Sequence, residues 1–331
     1  MAQQRMDQRI LGTAGVTTSA IGLGCMGFSQ AYGPADDDES LAVLHDALDT
    51  GITMIDTAMS YGRGHNERLV ARAIAGRRDD VVLATKFGIV RDADGVRLDG
   101  RPENVRGYCD ASLERLGVDT IDLYYLHRVD PEVPVTETIG AMGELVTAGK
   151  VRHLGVSEVN PAQLEQAVTV HPIAAVQFEW SLAWREPEDD VVPAARQLGV
   201  GLVPYSPLGR GLLTGALSAG PFPEGDFRRT DPRFAAQNLA SNLNLVQTLT
   251  KLADEHGVTP GQLALAWLLA QGPDVVPIPG TRSRARLAEN AAAADVQLSE
   301  QNLADLDLAV PRESWQGDRT SFAAHGTTRA R

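Results

Sequence analysis

Short apolar runs alternate along this chain with longer stretches in which apolar residues recur every three or four positions. The runs Ile21 to Leu23, Met54-Ile55, Val81 to Ala84, Ile121 to Leu126, His153 to Val156, Ala174 to Val176, Gly201 to Val203 and Val275 to Ile278 read as strands. Helical spacing predicts helices from Ser40 to about Gly51 and near 66–76, 101–116, 135–149, 161–169, 187–198 and 283–293. In the first of these Leu41, Val43, Leu44, Ala47 and Leu48 share a face, the acids of 36–39 favour its N-terminal end, and Gly51 supplies the stop. Before them, Arg9 to Leu11 and Thr18 to Ala20 flank Gly12 to Gly15 at the spacing of a small hairpin.

Eight strand and helix alternations, with no Ser/Gly linker or charge run between halves, predict an α/β chain. The expected architecture is one (β/α)8 TIM barrel domain over residues 1–331, with an N-terminal β-hairpin and long loops on the C-terminal face. The string Gly22-Leu23-Gly24-Cys25-Met26-Gly27 matches G-x-G-x-x-G, but the dinucleotide fingerprint must open directly into a helix. Here Phe28 to Asp38 reads as loop, so the Rossmann reading is set aside.

Composition narrows the partners. Lys and Arg number 30 against 43 Asp and Glu, a net charge of −13 with no basic tract, which argues against nucleic acid and anionic membranes. No apolar run approaches the roughly 18 residues of a membrane helix, and the first residues carry no apolar signal core. Cys25 and Cys109 lie far apart and form no metal-type spacing, so they read as reduced thiols of a cytoplasmic protein, and no metal site is expected.

In a barrel of this kind the chemistry sits where strands end. Those positions hold Asp56, Lys86 and His127, and Tyr61 falls in the Gly-rich loop after the second strand. Each alone fits an ordinary role as cap, solvated strand end, satisfied histidine or loop aromatic, but all four converge on one mouth. Together they suit proton donation to a carbonyl oxygen. A phenol has a reference pKa of about 10; a neighbouring ammonium lowers it and a carboxylate holds the ammonium in place. Tyr61 is then the acid and His127 a donor that orients the carbonyl. None of these groups supplies hydride, so a cofactor must.

The loops after the seventh and eighth strands, where barrels commonly hold phosphate, are Tyr205 to Gly215 and Pro279 to Arg286. The first offers glycine amides beside an aromatic face, and the second puts Arg282, Arg284 and Arg286 at a helix N-terminus.

Over nearly its whole length the chain resembles the aldo-keto reductase family. The resemblance rests on G-x-x-x-x-D-T-A-x-x-Y-G-x-x-x-N-E from Gly51 to Glu67, Leu-Ala-Thr-Lys-Phe-Gly around Lys86, Asp122-Leu-Tyr-Tyr-Leu-His127, Lys150 to Ser157, and Ile278-Pro-Gly-Thr to Glu289-Asn290. It implies an NADPH-dependent aldehyde or ketone reductase with the tetrad Asp56, Tyr61, Lys86 and His127. By the same likeness Ser157 and Gln177 bind the nicotinamide carboxamide, Tyr205 stacks on the nicotinamide ring, and Ser206, Leu208, Gly209 and Arg210 lie along the pyrophosphate. Arg286, with Gly280, Thr281 and Arg282 beside it, meets the 2′-phosphate, Glu289 and Asn290 meet the adenine, and Gly24, Cys25 and Met26 rim the cofactor.

The chain departs from the family pattern at Glu158, where many relatives have Asn, at Gly280-Thr281, where many have Lys-Ser, and at Thr320, where a tyrosine is common. Trp180, Trp184, Phe87, Phe222, Phe227 and Trp315 are candidate pocket walls, some of them core. Specificity is expected in Arg128 to Val133, Ser206 to Asn238 and the tail from Pro311. The alternative to an enzyme is an NADPH-binding sensor or regulatory subunit with little turnover; the complete tetrad favours the enzyme.

Overall fold

Strands β1 (Gln8–Leu11) and β2 (Val16–Ser19) form the expected antiparallel hairpin, in register from Gln8 opposite Ser19 to Leu11 opposite Val16. Leu11 and Val16 are buried in the same cluster as Met54, Ala84, Leu123, Tyr125, Ala174, Val203 and Val276. These residues come from many different strands, as side chains filling a barrel interior do, and the hairpin is the plug beneath them. Gly12 permits this contact, because a Cβ there would lie 2.6 Å from the Gly199 carbonyl oxygen. The structure, a computed structural model, describes residues 6–92, 95–217 and 221–319. Thr320 and the rest of the tail lie outside them.

The strands β3 (Leu23–Gly24), β4 (Met54–Asp56), β5 (Val82–Phe87), β6 (Ile89–Asp92), β7 (Gly95–Leu98), β8 (Ile121–Leu126), β9 (Val151–Ser157), β10 (Ile173–Glu179) and β11 (Gly201–Tyr205) follow. All but β6 and β7 form one parallel sheet in the order β11-β10-β9-β8-β5-β4-β3. The segment expected as the eighth strand closes the barrel without being a regular strand. Val276 N–H donates to Leu202 O at 2.8 Å and Ile278 N–H to Pro204 O at 3.0 Å on one side. On the other side Pro277 and Pro279 only accept, from Gly22 N–H at 2.9 Å and Gly24 N–H at 3.3 Å, since proline has no N–H to return.

That closure explains the glycine string. A Cβ on Gly24 would lie 2.9 Å from Ile278 O, and one on Gly22 would lie 2.9 Å from the Ile278 side chain. Gly24 ends β3, a single short turn over Met26–Phe28 follows, and the next helix starts only at Asp37. The glycines serve close packing of first against last strand, and the loop reading that set aside a Rossmann turn holds.

The helices are α1 (Asp37–Asp49), α2 (His65–Ile74), α3 (Pro102–Leu116), α4 (Val135–Thr147), α5 (Pro161–Val170), α6 (Val191–Gln197), α7 (Ala236–Glu255), α8 (Pro260–Ala270), α9 (Arg284–Ala292) and α10 (Glu300–Ala309). The first six and α9 lie where helical spacing predicted them. Asp36 caps α1, its carboxylate accepting from Glu39 N–H at 2.9 Å. Sequence reading missed α7, α8, α10 and the β6–β7 hairpin. In α8, every residue from Leu263 to Leu269 is buried, so its apolar pattern has no period to detect. Its start was nonetheless written in the chain, as a capping box between Thr259 and Gln262.

Candidate active site

Asp56 is the last residue of β4 and Lys86 lies in β5, the strand beside it. Both side chains are buried, and Lys86 Nζ donates to Asp56 Oδ1 and, at 2.8 Å, to the Thr57 carbonyl oxygen. Its third contact is the Tyr61 hydroxyl, 3.3 Å away. Gln177, from β10 across the barrel, donates to the other Asp56 oxygen at 2.8 Å. Tyr61 is carried by a tight turn in which Gly62 and Arg63 both have left-handed backbones, φ 57° and 54°. The His127 ring meets the Tyr61 ring edge-on, centroids 5.8 Å apart. The four residues found at separate strand ends therefore form one cluster.

The two residues that end the Gly51 to Glu67 motif act as struts. Asn66, wholly buried, donates to Cys25 O and Ser29 Oγ, both at 2.8 Å, and accepts from Thr57 Oγ1 at 2.7 Å. Glu67 accepts from Thr85 Oγ1 at 2.7 Å and pairs with Arg115 at 2.5 Å. They tie the β3 loop, β4, β5 and α3 together around the tetrad, a role that its spacing alone did not disclose.

Burial and charge oppose each other at these groups. Burial raises the Tyr61 pKa, and although Lys86 pulls it down the net direction is upward, so the phenol holds its proton through neutral pH. Lys86 alone was expected to decide this, and desolvation outweighs it. For Lys86, burial lowers the pKa, but Asp56 and Tyr61 together raise it further, and the ammonium stays charged. Burial, then Arg128, Lys86 and Arg91, hold His127 well below the ordinary histidine value, so its imidazole is neutral. Its Nδ1 is buried with no partner among the described residues.

A cavity of about 490 Å³ opens over this cluster. Asp56, Tyr61, His127, Ser157 and Gln177 line one end, Tyr205, Ser206, Leu208 and Arg210 continue it, and Gly280, Thr281, Arg282, Arg286, Glu289 and Asn290 line the other, with Gly24 and Met26 on the rim. Cys25 and Gly209 are buried beside it without lining it; the Cys25 thiol instead contacts Leu23 O at 3.7 Å. The Arg210 guanidinium is matched within the wall by Glu179 at 3.3 Å and Asp231 at 3.6 Å, and stacks over Phe227. Arg284 pairs with Asp46 on the surface. Arg282 donates to the Pro34 and Tyr32 carbonyl oxygens at 2.6 and 3.1 Å. Among the described residues no carboxylate lies within ion-pair distance of Arg286.

Glu158 does not line the cavity. Its backbone is left-handed, φ 55°, and its carboxylate accepts from Arg319, from the Tyr205 hydroxyl at 2.9 Å and from Glu179 N–H at 3.2 Å. Burial raises its pKa, but Arg319, Arg128 and the Tyr205 hydroxyl overcome that and hold it at about 2. The segment before Arg319 is pinned by Asn242, which donates to Gln316 O at 2.9 Å and accepts from Gln316 N–H at 2.8 Å.

None of the six expected aromatic walls lines the cavity. Phe87 stacks on Tyr124 in the core, Trp180 packs on Trp267 and Phe178, Phe222 on Phe234, Phe227 on Tyr32, and Trp184 lies under Arg319. Trp315 packs on the core from outside. Tyr32 and Met26 take their place, together with Arg128 from the segment 128–133 in which specificity was expected. Ring size signals burial, but not which side of a strand a residue faces.

The profile of the Aldo/keto reductase family matches residues 20–310. Probable aldo-keto reductase 1 of Glycine max is 45% identical over 322 residues, 96% of this chain and 93% of that protein. A glycerol dehydrogenase from Gluconobacter oxydans superimposes with a TM-score of 0.85 at 31% identity, covering 100% of this chain and 98% of that one. An aldo/keto reductase from Klebsiella pneumoniae, solved with NADP and acetate, does so with 0.71 at 30% identity, covering 96% and 99%. The chain belongs to the aldo/keto reductase family of oxidoreductases.

Proposed function

We propose that this protein reduces aldehydes or ketones with NADPH, Tyr61 donating the proton. The observation that carries the reading is the Tyr61 hydroxyl at the cavity wall, 3.3 Å from a buried ammonium that Asp56 holds in place. The cavity suits a dinucleotide: a cluster of proton-handling groups at one end, an aromatic face in the middle, and at the other the guanidinium groups of Arg282 and Arg286, which pair with no carboxylate among the described residues. Ser157 and Gln177 would hold the carboxamide, Tyr205 would lie against the nicotinamide ring, and the backbone from Ser206 to Leu208 would follow the pyrophosphate. Arg286, with Thr281 and Arg282, would take the 2′-phosphate, a guanidinium being suited to bidentate contact with it. The NADP in the Klebsiella pneumoniae relative supports this cofactor.

The bound cofactor supplies the hydride. The protein's share is to aim the carbonyl and complete the proton transfer. His127, neutral, hydrogen-bonds the carbonyl oxygen and polarises it. Tyr61, kept protonated by burial, passes its proton to that oxygen, and Lys86 stabilises the phenolate left behind. Asp56, held from the far side by Gln177, keeps Lys86 charged and aimed. Mixing the protein with NADPH and a panel of aldehydes tests the reading through the fall in NADPH absorbance. Bound NADPH with no consumption across the panel would refute it.

A further inference from the structure

Arg128 follows His127 directly and lines the cavity beside it, and among the described residues no carboxylate forms an ion pair with it; Glu158 acts on it only from longer range. Lys86 has Asp56, Arg210 and Arg233 share Glu179 and Asp231, Arg319 has Glu158, and Arg228 has Asp226. Arg128 has no acid within 4.0 Å among the described residues. Its hydrogen bonds both leave from Nη1, to His127 O at 2.6 Å and Ser157 Oγ at 3.1 Å, and both acceptors are neutral. Nε is buried without a partner, and the residue is only 5% exposed. Holding a guanidinium out of water without a direct ion pair is costly, and an anion that enters the cavity relieves that cost. A partnerless Nε on a planar fork is also what side-on pairing with a carboxylate needs.

We propose that Arg128 binds a carboxylate attached directly to the reducible carbonyl, which makes 2-oxo acids the preferred substrate class. His127 and Arg128 line the same cavity, so one substrate can meet both the group that orients the carbonyl and the group that holds the anion. Arg128 lines the cavity together with Tyr61 and His127, while Arg282 and Arg286 line its other end. In the reaction the carbonyl carbon gains hydride from the reduced nicotinamide and its oxygen gains the Tyr61 proton. The product is a 2-hydroxy acid whose carboxylate never leaves the guanidinium, and Tyr61 recovers its proton from water.

This rests on the reductase reading above, and the test separates the two. Phenylglyoxylate, its neutral amide of nearly the same shape, and benzaldehyde are assayed with NADPH on the native protein, Arg128→Met and Arg128→Lys. The preference for acid over amide, as a ratio of kcat/KM values, should fall about 10- to 100-fold in Arg128→Met, the range of a charged hydrogen bond. Most of the fall should appear in KM, and Arg128→Lys should restore part of it. Titrating phenylglyoxylate into Tyr61→Phe bound to NADPH should show the same acid preference without turnover, and Arg128→Met added to that variant should abolish it. An unchanged ratio overturns the proposal, as does weakened NADPH binding with the ratio intact, which would assign Arg128 to the cofactor. Benzaldehyde reduction without any acid preference removes this proposal alone; no reduction of any carbonyl removes the parent reading as well.

Discussion

The two ends of the cleft are built differently. At the chemical end Asp56, Lys86, Asn66 and Glu67 stand on adjacent strands or a helix start, are fully or nearly fully buried, and have their polar groups answered by other buried groups. At the other end Arg282 and Arg286 come from a loop and the first turn of α9, reach from the surface, and Arg286 has no carboxylate partner among the described residues. A site that must hold atoms in line is over-determined, whereas one that must grip a departing anion leaves its cations without carboxylate partners. Substitution at the first end should therefore disturb chemistry and stability together, and at the second end binding alone.

The largest expected effect belongs to Tyr61→Phe, which removes a hydroxyl and keeps the ring. Turnover should drop by about 10²- to 10⁴-fold, the worth of a positioned general acid, with NADPH binding retained. Steady-state rates beside a fluorescence titration measure both; near-native turnover would remove Tyr61 from its role. Lys86→Met comes next and should strike both properties. Asp56 is left as an unpaired buried carboxylate, so urea unfolding should show a loss of about 3–5 kcal/mol. The group that lowers the Tyr61 pKa is also gone, so the phenol holds its proton to higher pH. The alkaline fall in whatever reduction remains should move upward, and an unchanged pH profile would count against the assignment.

How much of this was legible in the chain follows the same division. Asp56, Lys86 and His127 stood out because each stops or follows an apolar run; in a parallel barrel all such points share one mouth. The hairpin was legible from its glycines. Residues that act through others were not: Asn66 and Glu67 are recognisable as motif, but the strands they join are known only from the fold. The ion-pair group of Glu179, Arg210, Asp231 and Arg233 brings together residues from β10 and from the long segment after β11, which no spacing rule connects. Arg128 was legible only as the start of a segment expected to set specificity, because a charge beside a histidine looks like any loop charge until its partners are known.

At the cofactor end, Arg286→Ala should weaken NADPH binding by about 2–3 kcal/mol and leave NADH nearly unchanged, since only NADPH has a group there to lose. Equal weakening of both cofactors would move the 2′-phosphate contact to Arg282.

The smallest effect separates the tail from both ends. Arg319→Met leaves Glu158 with the Tyr205 hydroxyl and Glu179 N–H, so the stability loss should be about 1–3 kcal/mol at neutral pH. The paired Glu158 has its pKa depressed from 4.5 to about 2, so its stabilisation is full above the upper value and disappears as pH falls through the lower. The gap between native and variant should close over that window in acid unfolding curves. A gap that persists below it would mean that Arg319 acts through packing on Trp184 and not through charge.

Hydride transfer to a carbonyl, with the Tyr61 proton completing it, can be checked by following the hydrogen itself. NADPH carrying deuterium at its transferable position is incubated with benzaldehyde and the native protein, and the alcohol is weighed by mass spectrometry. One deuterium is expected on the carbinol carbon of the product, and almost no product when Tyr61→Phe replaces the native protein. Alcohol without deuterium, labelled NADPH left intact beside unreacted aldehyde, or labelled alcohol formed equally by Tyr61→Phe would contradict it.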